Sequence, residues 1–390
     1  MRLIRRSAHL TAIRALLRQF PVVAVLGARQ VGKTTLAREV ARLHRGLVTT
    51  FDLEDVGDRA RLADPLLTLR ALRGLVVIDE VQQLPELFQT LRVLADSGPA
   101  GRRFLVLGSA SVELLRQSSE SLAGRIAYHE LPGFQLADIG ANQLDRLWSR
   151  GGFPRAYLAR SGADSMRWRE EFVRTFLERD IPQFGIRVPA LALRRFWTMI
   201  AHYHGQTWNA SELARAFGVA HTTVQRYLDV LSQTFMVRQL PPWFENIAKR
   251  QVRSPKVYLR DTGILHLLLG IPDMRSLLAH PKVGASWEGL GIDTVLDHLG
   301  ARPGEAYFWA TQSGAELDLL IVRGETRIGF EFKRTSSPAL TPSMRLALND
   351  LRLQRLYVVA ATEHAFDLHE HVRVVPMTRV LEDVPQLSGL

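Results

Sequence analysis

The sequence predicts an α/β protein of two or three domains, and three observations predict it. A glycine-rich loop in "PVVAVLGARQVGKTTLAREVARL" joins an apolar run to a helical pattern, and a later apolar run ends in two acids. A Gly-turned pair of helical segments lies within a basic stretch. The last third reads α-β-β-β-α-β, a compact mixed α/β order. At 390 residues the chain can bury more than one core, since a domain takes roughly 150 residues.

Charge bounds the partners. The formal net charge is +11 and the pI about 10.4, which favours a polyanion, nucleic acid before a membrane surface. Only five of the cations are Lys, so part of this pattern is a preference for Arg, but the excess over Asp and Glu stands. With no Cys there are no disulfides or thiolate zinc sites, which suits a reducing cytoplasm. Arg14 and Arg18 interrupt any signal-peptide core in the N-terminal segment. No apolar run reaches the 18 residues or so that a bilayer needs. The expectation is a cytoplasmic protein without a membrane partner.

The first element is the loop. Gly27, Gly32, Lys33 and Thr34 match G-x-x-x-x-G-K-[ST] between a strand and a helix. Glycines let backbone N–H groups close around phosphate oxygens, and the helix N-terminus adds its positive dipole end. The cradle therefore runs through Gly27, Ala28, Arg29, Gln30, Val31, Gly32, Lys33, Thr34 and Thr35. Lys33 would reach the β- and γ-phosphates of ATP, and Thr34 would bind Mg²⁺.

The second element, "LRGLVVIDEVQQLPELF", is an apolar strand with carboxylates at its C-terminal tip. Ligands bind at that end of the strands in open α/β sheets. Asp79 would hold Mg²⁺ and Glu80 would polarise the attacking water. A third strand, "RRFLVLGSAS", ends in Ser109 and Ser111. A serine there reads either as a γ-phosphate sensor or as ordinary turn chemistry. Arg125 in "ESLAGRI" reads as an arginine finger, or as one more residue of an Arg-rich chain.

The runs "GARQVGKTTL", "LVVIDEVQQLPELF", "FLVLGSAS" and "SLAGRI" together resemble a family of bacterial and archaeal AAA+ ATPases that carry an uncharacterised C-terminal domain. The resemblance implies an ATP-binding α/β domain over 1–150 and a homo-oligomer, a ring among its forms, with nucleotide bound near subunit contacts. It does not name the load.

Residues 151–190 read as a helical connector, broken at Pro182 and Gly185. From 191 to 270 the pattern is a winged helix-turn-helix. Asn209 or Ser211 caps "ELARAFG", Gly218 turns the chain, and "HTTVQRYLDVL" follows. Its core would be Leu213, Ala216, Phe217, Val224, Leu228 and Leu231. In a DNA-bound reading His221, Thr222, Thr223, Gln225 and Arg226 would face the major groove. Arg194 to Arg260 contains ten Lys or Arg and three Asp or Glu, a local +7 of the total +11. Winged helices also serve as protein-binding modules, and that alternative stays open. His202, His204 and His221 are too irregularly spaced for zinc. Asp261 has sufficient reason as a helix cap.

In residues 271–390 a helix bears Glu288, and a hairpin bears Asp318 and, 13 residues on, the Glu331-x-Lys333 pair. With the α-β-β-β-α-β order, these resemble the restriction-endonuclease-like PD-(D/E)XK superfamily. Residues two apart on a strand share a face. Asp318 and Glu331, with Glu288 as a third, would hold a divalent cation, while Lys333 would orient water or stabilise developing charge. The alternative is a salt-bridged edge hairpin.

The expected function is an ATP-hydrolysing, DNA-associated AAA+ protein that binds or remodels DNA, branched DNA included, with Mg²⁺-dependent cleavage open. An ATP-controlled DNA switch with an inert nuclease-like domain and a protein-remodelling ATPase are the rivals.

Overall fold

The computed structural model describes residues 4–97, 102–109, 122, 124–245 and 252–387. Ser111, part of "ESLAGRI", Lys249 and Arg250 lie outside the described residues. The chain divides into two compact units. One is Met1–Phe134 with the short stretches Gln183–Ile186 and Gln233–Met236; the other holds the rest. The division at Phe134 precedes the boundary expected near 150. Trp148, on the helix α6 (Leu144–Arg150), belongs with the second unit, where its indole N–H donates to Ser286 Oγ at 2.9 Å.

In the first unit α1 (Ser7–Gln19) precedes β1 (Val22–Leu26), and the loop leads into α2 (Lys33–Arg42). The strands β2 (Val48–Asp52), β3 (Leu75–Asp79), β4 (Arg103–Gly108) and β5 (Ile126–Glu130) complete a parallel sheet in the order β2-β3-β4-β1-β5. Between them run α3 (Val56–Arg61), α4 (Pro65–Arg70) and α5 (Leu87–Ser97). β1 and β3 are buried at every position, as unbroken apolar runs in a covered parallel sheet should be. Val22, Ala24, Val76, Ile78, Phe104 and Val106 form one core with Phe88 and Leu91 of α5.

The second unit has two sheets. After α7 (Gly162–Thr175) and α8 (Ala190–His202) comes the short strand β6 (Gln206–Thr207). Then α9 (Ala210–Phe217) and α10 (His221–Gln233) are joined through Gly218, whose φ of +71° lies in the left-handed region. Two antiparallel strands follow, β7 (Val237–Leu240) and β8 (Lys256–Leu259), giving a sheet in the order β6-β8-β7. Asn209 caps α9 by accepting from the Glu212 N–H at 3.2 Å. Leu213, Val224, Leu228 and Leu231 are buried as expected. Ala216 is exposed and Ala214 takes its place, because the buried stripe of so short a helix is set by one turn.

Beyond α11 (Thr262–Leu268) and α12 (Val283–His298) lies a six-stranded sheet. Its strands are β9 (Ala306–Ala310), β10 (Glu316–Arg323), β11 (Thr326–Lys333), β12 (Arg355–Ala360), β13 (Phe366–His369) and β14 (Val372–Pro376). They run β13-β14-β12-β11-β10-β9, with α13 (Pro342–Asp350) between β11 and β12. β10 and β11 form the antiparallel hairpin, Leu319 opposite Phe330, closed by Gly324 and Glu325. β11, β12 and β14 are parallel.

Asp261 does more than cap. It accepts from the Ile264 N–H at 2.8 Å and from the Gly152 N–H at 2.7 Å, so one buried carboxylate ties α11 to the loop after α6. A Cβ on Gly151 would lie 2.2 Å from its Oδ1, which is why that neighbour lacks a side chain. Asp261→Ala removes the cap and the buried acceptor together. It is expected to cost about 2–4 kcal/mol in urea unfolding, with Asp261→Asn costing less because an acceptor remains; equal losses for the two would remove the hydrogen-bond account.

Candidate functional site

The glycine-rich loop, the tip of β3 and the end of β4 converge at the C-terminal end of the first sheet's strands. The strand order explains this: β4 lies between β1 and β3, so Ser109 sits between the loop and the acid pair. Gln30 at φ +64° and Gly32 at φ +102° turn the chain into α2, and Gly32 adopts this conformation because it carries no Cβ.

Lys33 is buried. Its Nζ donates to the carbonyls of Gly27 (3.0 Å) and Ala28 (2.9 Å) and to Ser109 Oγ (3.0 Å). Burial pulls its pKa down to about 8, although Glu80 and Asp79 work against the fall. Thr34 Oγ1 donates to Asp79 Oδ2 at 2.6 Å, and Asp79 Oδ1 accepts from the Glu80 N–H at 2.9 Å. Burial raises the Asp79 pKa in spite of the Thr34 bond. Glu80 adopts φ +54°, a left-handed turn that aims its carboxylate at Ser109, whose Oγ donates to Glu80 Oε2 at 3.2 Å.

The missed residue is Gln82. Its amide N–H donates to Glu80 Oε2, while its carbonyl accepts from the Ser109 N–H at 3.3 Å. Its position two residues after Glu80 in "DEVQQ" is the sequence signal.

The remaining loop residues divide by what they touch. Ala28 and Val31 are buried, so they offer backbone only, and the Gly27 N–H donates to Gly108 O at 3.3 Å. Arg29 pairs with Glu54 at 2.6 Å. Gln30 and Thr35 are exposed. Arg125 is not brought to this end. Its carbonyl accepts from the Val22 N–H, and β5 runs parallel to β1, so Arg125 stands at the opposite end of the sheet, paired with Asp96 at 2.5 Å. The arginine-finger expectation therefore has no support within its own unit.

In the second unit, His221, Thr222 and Arg226 are exposed on the first turns of α10, and Thr223 is half-buried. Gln225 corrects the sequence reading. It accepts from the Trp208 indole N–H and donates to Asp229 Oδ1, both at 2.9 Å, so its amide ties Trp208, just after β6, to α10 and is not presented outward.

The hairpin does bring Asp318, Glu331, Lys333 and Glu288 together, with Lys256 of β8 among them. Lys256 Nζ lies 3.1 Å from Glu288 Oε1 and 3.8 Å from Asp318 Oδ1, and it pairs with Glu316. Tyr258 Oη donates to Glu288 Oε1 at 2.5 Å. The Phe332 N–H donates to Asp318 Oδ2 at 2.9 Å, and Lys333 pairs with Glu331 Oε1 at 2.7 Å. Burial, then the nearby Glu288 and Glu331, push Asp318 well above the usual carboxylate range. Burial also raises Glu331, outweighing Lys333. Burial would lower Lys256, but Tyr258, Glu288, Asp318 and Glu316 hold its pKa well above the ordinary value. Among the described residues no group of three or more acids and histidines is arranged to hold a metal ion. The carboxylates that the sequence assigned to a cation already have ammonium, hydroxyl and amide partners.

No helix among the described residues is long and apolar enough to cross a membrane. Residues 19–139 match the model of an AAA domain. Residues 141–275 and 283–380 match two domains of unknown function, DUF8612 and DUF4143. Among solved structures, the chain is similar to the Walker-type ATPase PABY2304 of Pyrococcus abyssi at 14% identity and TM-score 0.48, over 68% of this chain and 96% of that one. It is also similar to the RuvB Holliday junction branch migration motor of Thermotoga maritima at 20% identity and TM-score 0.32, over 61% of this chain and 90% of that one. The uncharacterized proteins Rv2008c of Mycobacterium tuberculosis and Mb2031c of Mycobacterium bovis are each 51% identical over 381 residues, 97% of this chain and 85% of theirs. The chain belongs to the family of these two mycobacterial proteins, and its N-terminal domain is a P-loop ATPase of the AAA type.

Proposed function

We propose that the protein is an ATP-hydrolysing, DNA-binding AAA-type machine whose second unit engages DNA through a winged helix. The observation that carries the first half is the bond between Thr34 and Asp79 beside buried Lys33, with Glu80 held by Ser109 and Gln82. These residues fit Mg-ATP. Lys33 would take the β- and γ-phosphates, Thr34 and Asp79 the Mg²⁺, and Glu80 the attacking water. Bound Mg²⁺ supplies charge neutralisation for the transferring phosphoryl group. Glu80 needs its carboxylate fixed to orient water, and Gln82 and Ser109 fix it.

The DNA half is supported by the order α8-β6-α9-α10-β7-β8, a helix-turn-helix closed by a small antiparallel sheet. Arg194, Arg195, Arg215, Arg226 and His221 are exposed on it. The local +7 is smaller in effect than the count suggests, because Lys256 is enclosed by acids and Arg238 pairs with Asp293 at 2.7 Å. Among the described residues, the exposed arginines on α8, α9 and α10, with Arg253 ahead of β8, remain to meet phosphate. Assembly into a homo-oligomer belongs to the same proposal, resting on the resemblance to the AAA+ ATPases.

Fluorescence anisotropy with duplex, forked, four-way and single-stranded DNA tests this reading. Wild type should bind, DNA should stimulate ATP turnover, and Arg226→Ala should weaken binding across sequences while lowering the salt slope by about 1. If none of these DNAs binds at low salt, the DNA reading fails and a winged helix that binds protein replaces it.

The α12-β9-β10-β11-α13-β12 order, with Glu288 on the helix and Asp318, Glu331 and Lys333 on the hairpin, supports a nuclease-like fold for the C-terminal domain. As arranged, its acids do not suit a divalent cation, so no cleavage step is assigned to it.

A further inference from the structure

We propose that the Lys256 ammonium is the resident cation of the C-terminal acid cluster, standing where a nuclease-like domain would hold a divalent metal, and that the protein carries a latent metal site closed by its own side chain. The inference rests on the nuclease-like reading for what the cluster replaces, not for the cluster itself.

The geometry carries it. A metal-dependent nuclease of this architecture needs open oxygen positions on acids from a helix and a hairpin, with water completing the shell. Here the helix acid Glu288 receives both Lys256 Nζ at 3.1 Å and Tyr258 Oη at 2.5 Å, on one oxygen. The same ammonium lies 3.8 Å from Asp318 Oδ1 and pairs with Glu316. One nitrogen thus faces acids from α12 and β10, as a metal ion would. Lys256 is only 4% exposed, with its head 5.7 Å from the Phe308 ring centre. A buried ammonium held by several acids does not swing freely into water.

A second observation points the same way. Glu331 is 5% exposed, its Oε1 pairs with Lys333, and its Oε2 has no hydrogen-bond partner. A buried carboxylate oxygen left bare is the position at which a metal-bound water or a cation would complete the cluster. Lys256 thus holds Glu288, Asp318 and Glu316, while Lys333 holds Glu331 through Oε1. Lys256 also comes from β8, the strand that closes the helix-turn-helix sheet, so the lock is supplied by one module to the acids of the other within the second unit.

The test is Mn²⁺ binding to nucleotide-free full-length protein, followed by electron paramagnetic resonance and by the shift of the thermal midpoint with added Mn²⁺. Wild type should show no Mn²⁺ site that Asp318→Asn removes. Lys256→Ala should gain such a site, and Lys256→Ala with Asp318→Asn should lose it again. If Lys256→Ala folds only with Mn²⁺ present, the exchange of one cation for another is supported directly. A wild-type Mn²⁺ site abolished by Asp318→Asn overturns the proposal even when the Lys256 variant does not fold. A folded Lys256→Ala that takes no Mn²⁺ overturns it too. DNA anisotropy is independent of these results, so failure of the DNA reading and failure of this one are separately visible.

Discussion

Lys33→Ala is expected to lower ATP turnover by about 10²–10³-fold, the usual cost of removing one charge-stabilising donor from a reacting centre. The effect follows from placement: Lys33 is the buried cation between the loop carbonyls and Ser109, and no other described Lys or Arg donates to Ser109. Because burial holds its pKa at about 8 in the free protein, and phosphate would raise it, ATP binding should take up a proton near that pH. ATP affinity should therefore weaken as pH rises through about 8, and calorimetry in buffers of different ionisation heat should show the uptake. Unchanged turnover in the variant, with retained secondary structure, would sink the hydrolysis assignment.

The second large effect is acid destabilisation by neutral buried histidines. His9 is lowered to about 3 and His129 to about 4 in the first unit, each chiefly by burial and then by Arg6. His204 and His266 in the second are each lowered to about 3, chiefly by burial. Their bonds fit neutral rings: His204 Nδ1 accepts from the Leu259 N–H at 2.9 Å, and its Nε2 meets Ala285 O at 3.1 Å. Each folded pKa lies below the unfolded value, so the unfolded chain binds more protons between about pH 6.5 and 4. Stability is complete above that window and is lost as pH falls through it. Each ring should cost about 2 kcal/mol by pH 5, a large share of the 5–15 kcal/mol or so that typical domains have. Asp261 and Glu331, raised by burial, take up protons in the fold and offset part of the loss. The discriminating measurement is the slope of unfolding free energy against pH. His204→Gln should flatten the second unit's slope by about 1.4 kcal/mol per pH unit, whatever it does to stability at pH 7. An unchanged slope would mean that His204 is charged in the fold.

What the sequence made legible was local. Gly27 to Thr34 and the Asp79-Glu80 pair are contiguous motifs whose chemistry depends on a few bonds of backbone; the loop joins β1 to α2 and the acids close β3. Ser109 needed the sheet order as well: only with β4 between β1 and β3 does the end of that strand reach Lys33 and Glu80. The same order puts Arg125 just ahead of the start of a parallel strand, whereas the phosphate-binding loop follows the end of one. Gln225 looked outward on helical spacing, yet Asp229 four residues on and the distant Trp208 claim its amide. No local motif marks Lys256. Its meaning lies 32 positions away at Glu288, a separation that no periodicity or motif spans.

The hydrogen-bond chain at the C-terminal end of the first sheet's strands has a direction. In the free protein Lys33 donates to Ser109 Oγ and Ser109 donates onward to Glu80. A hydroxyl that receives from a cation is a stronger donor to the next oxygen. A phosphate that drew Lys33 away would strip Ser109 of that polarisation and slacken its hold on Glu80 without any strand moving. In the proposed reading a γ-phosphate would thereby be reported to Glu80 through a single oxygen atom. Gln82, holding both Ser109 and Glu80, keeps that message from dispersing into a loose side chain.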